Sequence, residues 1–236
     1  MQKLLSYMRS AAERYEMIAP GDHIAVGLSG GKDSVALLAG LARLRSFYPA
    51  SFQLTAITLD PCFGGQQTDY TALEQLCETL EVPYVIRRTQ LGELIFEVRK
   101  EKNPCSLCAR MRRGILHDAA KAADCNKLAL GHHLDDAAET FMMNLLNGGT
   151  LGCFPPVTYL SRKDITVIRP LLFARESDCA RVVRRLELPV VKSACPADGI
   201  TERQEVKLFL NSLEQKYGDV RHKILGAMQR KGMDGY

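Results

Sequence analysis

The segment HIAVGLSGGKDSVALL, residues 23–38, is a short branched apolar run, then a polar glycine loop, then apolar residues at helical spacing. The run at 23–28 has the character of a buried strand. Val35, Leu38, Leu41 and Leu44 predict a helix over 34–47. Between them, Gly30 and Gly31 can take positive φ and let a ligand approach the backbone. The first turn of the helix offers unpaired N–H groups and a partial positive charge. With Lys32 as a point charge and Ser29, Asp33 and Ser34 around it, this is a phosphate cradle. Its spacing is neither the G-x-x-x-x-G-K-[ST] of a Walker loop nor the G-x-G-x-x-G of a dinucleotide fold.

The same alternation continues along the chain. Strands are predicted at 54–59 (LTAITL), 83–88 (PYVIRR), 127–131 (KLALG) and 165–171 (ITVIRPL), with helices at 68–80, 106–123, 135–146 and 175–187. Strand-helix alternation predicts an α/β fold, a parallel, doubly wound five-stranded sheet covered on both faces. Ligands in such sheets sit beyond the carboxyl ends of the strands, near the point where the strand order reverses. Residues 1–20 are expected to form an N-terminal amphipathic helix and 21–190 the nucleotide-binding body. Residues 191–236, ending in two charged amphipathic patterns, are expected to be a C-terminal helical appendage.

Composition fits an intracellular enzyme. The chain has 236 residues, 46% of them hydrophobic, enough to bury a sizeable core. No apolar run is long enough to span a bilayer, and the N-terminus does not resemble a signal peptide. Net charge is only +4, but positive residues cluster at Arg87 and Arg88, at Arg99, Lys100 and Lys102, at Arg110, Arg112 and Arg113, and at Arg181, Arg184 and Arg185. Such clusters form either solvated faces or contacts to a polyanion. Without a secretory signal, the eight cysteines do not suggest a disulfide framework.

Further chemistry-bearing residues fall at strand ends. Asp60 closes the second strand, and GHHLDDAAET at 131–140 places His132, His133, Asp135 and Asp136 after the fourth. Acids at a helix start cap it; after this strand they could also hold Mg²⁺ between phosphates. NPCSLCARMRRGIL at 103–116 puts Cys105 and Cys108 near one helix N-terminus, where thiolates are favoured. That pair suits zinc, an iron–sulfur cluster or redox chemistry. With no second C-x-x-C, a closed four-cysteine zinc site is disfavoured.

Taken together, SGGKDS, CSLCARMRRGIL, ALGHHLDDAAET, VIRPL and ERQEVK resemble the tRNA 2-thiocytidine synthetase family, within the PP-loop ATP-pyrophosphatase superfamily. The similarity extends from about residue 20 to 230; the loop specifies the superfamily, and the cysteine pair joined to the other blocks the family. The resemblance implies the PP-loop (adenine nucleotide alpha hydrolase) fold and a cytoplasmic enzyme that adenylates the C2 oxygen of a tRNA cytidine, position 32 of the anticodon loop. Sulfur delivered through a [4Fe–4S] cluster then replaces that oxygen. By position, Cys105, Cys108 and Cys195 would hold the cluster. The chain departs from the family pattern by having Ser193 and Ala194 before Cys195, where members carry a cysteine pair.

The implied cofactors are ATP, Mg²⁺ and the cluster. Ser29, Gly30, Gly31, Lys32, Asp33 and Ser34 would bind ATP with Asp60 and His132, and Asp33 or Asp135 would hold Mg²⁺. Lys32, Asp33, Asp60, Cys105 and Cys108 would be catalytic. The implied partners are tRNA, a cysteine desulfurase as sulfur donor and a second copy in a homodimer. Competing expectations are thiolation of a uridine, lysidine-type modification, and a non-catalytic metal- and RNA-binding module. The first is weakened by the lack of terminal zinc-binding cysteine pairs, and the second leaves Cys105 and Cys108 unexplained.

Overall fold

The computed structural model describes residues 1–98, 104–192, 195 and 202–236; Arg99, Lys100 and Lys102 lie outside the described residues, as does the side chain of Cys105. Nine helices and six strands follow in the order α1 (Gln2–Arg14), β1 (Asp22–Gly27), α2 (Lys32–Leu44), β2 (Phe52–Asp60), α3 (Thr71–Thr79), β3 (Tyr84–Arg88), α4 (Leu91–Glu93), α5 (Pro104–Ala122), β4 (Lys127–Ala129), α6 (Leu134–Gly148), β5 (Val157–Leu160), β6 (Ile165–Ile168), α7 (Glu176–Arg185), α8 (Glu202–Tyr217) and α9 (Val220–Lys231) among the described residues.

The strands form one sheet in the order β3-β2-β1-β4-β6-β5. β1, β2, β3, β4 and β6 are the five expected strands, all parallel. The strand order reverses between β1 and β4, which places the switch point beside the glycine loop at the end of β1. Alternation along β1 divides the core. Ile24 and Val26 face a cluster with Val35, Leu38 and Leu41 of α2 and Val182 of α7. Ala25 faces the other way, with Ile57, Leu128 and Val167, onto Ala119 and Ala120 of α5. Helices therefore cover both faces.

One feature differs from the sequence expectation. A sixth strand, β5, pairs antiparallel with β6, Val157 opposite Ile168 and Leu160 opposite Ile165. It is an edge strand of four residues with no buried position, so it shows no apolar run. The expected C-terminal helices are present, and they pack on the body. Leu225 and Met228 of α9 share a cluster with Leu134 and Leu172, and Val206 and Leu210 of α8 pack with Ala138. Arg221, only 1% exposed, donates to Glu214 at 2.7 Å, to Asn211 at 2.9 Å and to the Lys207 carbonyl. A cation so enclosed persists only because it is paired and hydrogen-bonded.

Candidate active site

The loop after β1 is preorganised. Gly30 has φ +86°, and a Cβ there would lie 3.0 Å from Val191 Cβ, so a side chain is excluded both by strain and by space. The Gly30 carbonyl accepts the Val191 N–H at 3.0 Å. Ser34 Oγ donates to the Gly31 carbonyl at 2.8 Å and lies 3.1 Å from Ser29 Oγ. Gly31 caps α2 in an extended conformation, leaving the first-turn N–H groups for a ligand. Gly131 completes the cradle: a Cβ on it would meet the Asp33 and Ser34 backbone at 3.2 Å. Sequence reasoning gave this glycine no role; its only sequence signal was a glycine at a strand end.

Lys32 Nζ is 2.9 Å from Asp33 Oδ2 and 2.9 Å from Glu176 Oε1. Burial works to lower the lysine pKa, but its hydrogen bonds to Glu176 and Asp33 outweigh that and hold it above the ordinary value. Glu176 is in turn held by Lys207 at 2.5 Å. Against burial, the two lysines lower its carboxyl to about 2. Glu176 was invisible as a site residue because it reads as an ordinary first-turn acid. Asp33 has Oδ1 buried without a hydrogen-bond partner, and burial pushes its pKa up. His133 Nδ1 accepts the Asp136 N–H at 3.3 Å, so its proton sits on Nε2, 3.7 Å from Asp33 Oδ1.

Two expected site acids are engaged elsewhere. Asp135 Oδ2 accepts the Glu176 N–H at 2.7 Å, and its Oδ1 lies 3.1 Å from Arg221 Nε and 3.4 Å from Arg175 Nε. Both oxygens thus anchor α7 and α9 to α6 rather than facing the phosphates. Asp60 is fully buried; its oxygens accept the N–H groups of Cys62 at 3.1 Å and Thr68 at 3.0 Å. It fixes the loop after β2 through these bonds.

Beside the loop opens a cleft of about 670 Å³, with Ser29, Asp33 and Ser34 at one end and His132, Phe154 and Arg169 among its other lining residues. Arg112 and Arg113 of α5 and Arg203 of α8 make it cationic. The other arginine cluster is not here. α7 starts with Glu176 next to Lys32 and carries Arg181, Arg184 and Arg185 away from it, over roughly 15 Å of helix. His132 is stacked on Phe154 with ring centroids 4.9 Å apart, and burial lowers its pKa to about 4.

That shift carries a pH dependence. The unfolded chain protonates His132 near its ordinary value of about 6.5 while the folded one resists until about 4, so its contribution is intact above the first value and is lost as pH falls between them. Lowering pH from 7 to 5 should cost about 2 kcal/mol from this residue alone. Urea unfolding of the wild type and of His132→Asn at the two pH values checks it; an equal pH effect in both proteins refutes the assignment.

The cysteines divide by environment. Cys108, the fifth residue of α5, is buried beside Leu59, Leu91 and Ile95. Leu59 belongs to the end of β2, next to β1, so this thiol and the glycine loop share one edge of the sheet. Cys195 is half-buried and four residues beyond Val191, within about 14 Å of chain reach of the residue bonded to Gly30. Cys77, Cys125 and Cys179 are buried and Cys153 half-buried; desolvation raises all four pKa values, to about 12 for Cys77 and about 11 for Cys125. They are inert thiols.

Residues 4–212 match the PP-loop domain family, ATP_bind_3. The chain is 35% identical over 97% of its length to the tRNA-cytidine(32) 2-sulfurtransferase of Dechloromonas aromatica, covering 81% of that protein. It is 37% identical over 96% of its length to the enzyme of the same name from Pelobacter propionicus, covering 85% of that protein. Among solved structures it is similar to the U34-tRNA thiolase NcsA from Methanococcus maripaludis with its [4Fe–4S] cluster, at TM-score 0.79 and 28% identity, covering 95% of this chain and 77% of that one. With this fold, this loop and these relatives, the chain belongs to the tRNA-cytidine(32) 2-sulfurtransferase family of PP-loop proteins.

Proposed function

We propose that this chain is an ATP-dependent tRNA sulfurtransferase that replaces the C2 oxygen of cytidine 32 with sulfur, as its relatives' names describe. The observation that carries this is the shared sheet edge: a phosphate cradle, an arginine-lined cleft and α5, the C-x-x-C helix, meet there. The loop N–H groups, Ser29 and Ser34 hold the ATP phosphates, with Lys32 at the charge that develops on the pyrophosphate. Asp33, whose buried Oδ1 has no hydrogen-bond partner, fits a bound Mg²⁺, which neutralises phosphate charge. The target O2 forms a bond to the α-phosphorus as the bond to the β-phosphate oxygen breaks, and pyrophosphate leaves with the electron pair. Sulfur then bonds to C2, and AMP departs with the former O2.

The donor chemistry of Cys105, Cys108 and Cys195, three soft thiolates with one in an apolar pocket, fits a [4Fe–4S] cluster, which supplies an iron site for the incoming sulfur. Arg112, Arg113 and Arg203 neutralise tRNA phosphates beside the unstacked base. The sulfur donor is a cysteine desulfurase, the working form a homodimer and the compartment the cytoplasm; among the described residues no helix is long and apolar enough to cross a membrane.

A second reading, thiolation of uridine 34, is supported by the likeness to the U34-tRNA thiolase. Mass spectrometry of tRNA nucleosides after incubation with ATP, a sulfur source and the anaerobically reconstituted enzyme separates them. 2-Thiocytidine with stoichiometric AMP is expected; 2-thiouridine alone would establish the second reading. Absence of any AMP-forming turnover would leave a non-catalytic RNA-binding module.

A further inference from the structure

The cleft holds more unpaired polar atoms than phosphate binding uses. Among the described residues, five buried side-chain atoms have no hydrogen-bond partner, and four of them belong to residues lining this cleft: Asp33 Oδ1, His117 Nε2, His132 Nδ1 and Arg169 Nε. Buried polar groups are ordinarily satisfied, so such a concentration marks a wall built for a polar ligand. Asp33 belongs to the phosphate end. Arg169 is the group best fixed at the other.

Arg169 follows β6 and is only 8% exposed. Its Nη1 donates to the Pro155 carbonyl at 2.5 Å and lies 3.4 Å from Thr158 Oγ1, and its guanidinium carbon is 4.9 Å from the centroid of Phe154. Among the described residues no carboxylate pairs with it. With Nη1 tied down, the edge formed by Nε and Nη2 is the one left for a ligand. Leu130, Leu160 and Val167 are among the other lining residues of the cleft, and with Phe154 they suit a flat ring bearing a few polar atoms at its edge.

We propose that Arg169 reads the N3/O2 edge of the target base and so selects cytosine over uracil. This deepens the reading of the protein as a tRNA thiolation enzyme and rests on it. A guanidinium edge is donor only, two parallel N–H groups at fixed spacing. Cytosine offers two adjacent acceptors, N3 and O2, and accepts both. Uracil carries a hydrogen on N3, which would set donor against donor. Contact at O2 also orients the reacting atom relative to the α-phosphate. His132, kept neutral by burial that lowers its pKa to about 4, adds no competing charge beside the base.

The test uses full-length anaerobically reconstituted enzyme and two tRNA transcripts differing only in cytidine or uridine at position 32. Wild type should favour cytidine in kcat/KM by about 100-fold or more. Arg169→Gln offers one acceptor and one donor, the pattern of the uracil N3–H/O2 edge, and should collapse or invert that ratio while leaving ATP affinity within about twofold. Arg169→Lys keeps a buried cation, so it preserves the fold, but a point donor cannot bridge N3 and O2; its ratio should fall by about tenfold. A Lys variant that is folded with an undiminished ratio overturns the proposal. So does a Gln variant with weakened ATP binding and an unchanged ratio, which would make Arg169 a phosphate ligand. If wild type forms no 2-thiocytidine, the functional reading fails and this inference with it; if wild type is active and only the ratios are unmoved, the inference alone fails.

Discussion

Lys32→Ala lowers tRNA-dependent pyrophosphate release by about 10²- to 10³-fold, the loss expected when one preorganised donor to a developing charge is removed. The magnitude follows from where the ammonium is held. Nζ is held at 2.9 Å by both Asp33 and Glu176, so the charge is kept at the start of α2, beside the loop, before ATP arrives. Glu176 keeps its bond to Lys207 when the phosphates draw Lys32 toward themselves, so the displaced carboxylate is not left unpaired. The same bond protects the variant's fold, and its urea midpoint should stay near that of wild type. Lys32→Arg retains the charge with a different shape and should recover part of the rate. A Lys32→Ala enzyme within about fivefold of wild type would remove this lysine from the pyrophosphate step.

The loop and the parallel sheet were legible because both are local. Alternation between a buried strand such as 23–28 and a helix carrying Val35, Leu38 and Leu41 is written in consecutive residues, and so is the run from Ser29 to Ser34. The acids were harder for a physical reason. Asp33, Asp60, Asp135 and Asp136 all sit at strand ends or helix starts, where a cap, an ion pair and a metal ligand look alike in sequence. What separates them is the partner each one finds in the fold. Asp136 completes the capping box with His133, Asp135 meets Arg221 from the far end of the chain, and Asp60 closes a loop onto Thr68. Arg169 was legible only as part of VIRPL; its unpaired edge appears once β5 and Phe154 are placed beside it. The C-terminal patterns look like a detached pair of amphipathic helices because their partners, Ala138 and Leu134, lie on α6.

Cys108→Ala should abolish sulfur transfer while leaving the ATP half of the site intact. The thiol is buried among Leu59, Leu91 and Ile95 and separated in sequence from every residue of the phosphate loop, so its loss removes a soft ligand without touching the cradle. Cys77, Cys125, Cys153 and Cys179 belong to other parts of the fold and have pKa values raised by burial. Trimming one sulfur from an apolar cluster costs about 1 kcal/mol, too little to unfold a domain of this size. The expected pattern is therefore specific: 2-thiocytidine below detection, iron content after anaerobic reconstitution sharply reduced, and ATP affinity unchanged. Cys77→Ala, an equally buried thiol away from the cleft, serves as the control and should keep both iron and activity. Full sulfur transfer by Cys108→Ala would remove the cluster from this helix; loss of ATP binding together with sulfur transfer would mean that α5 supports the nucleotide instead.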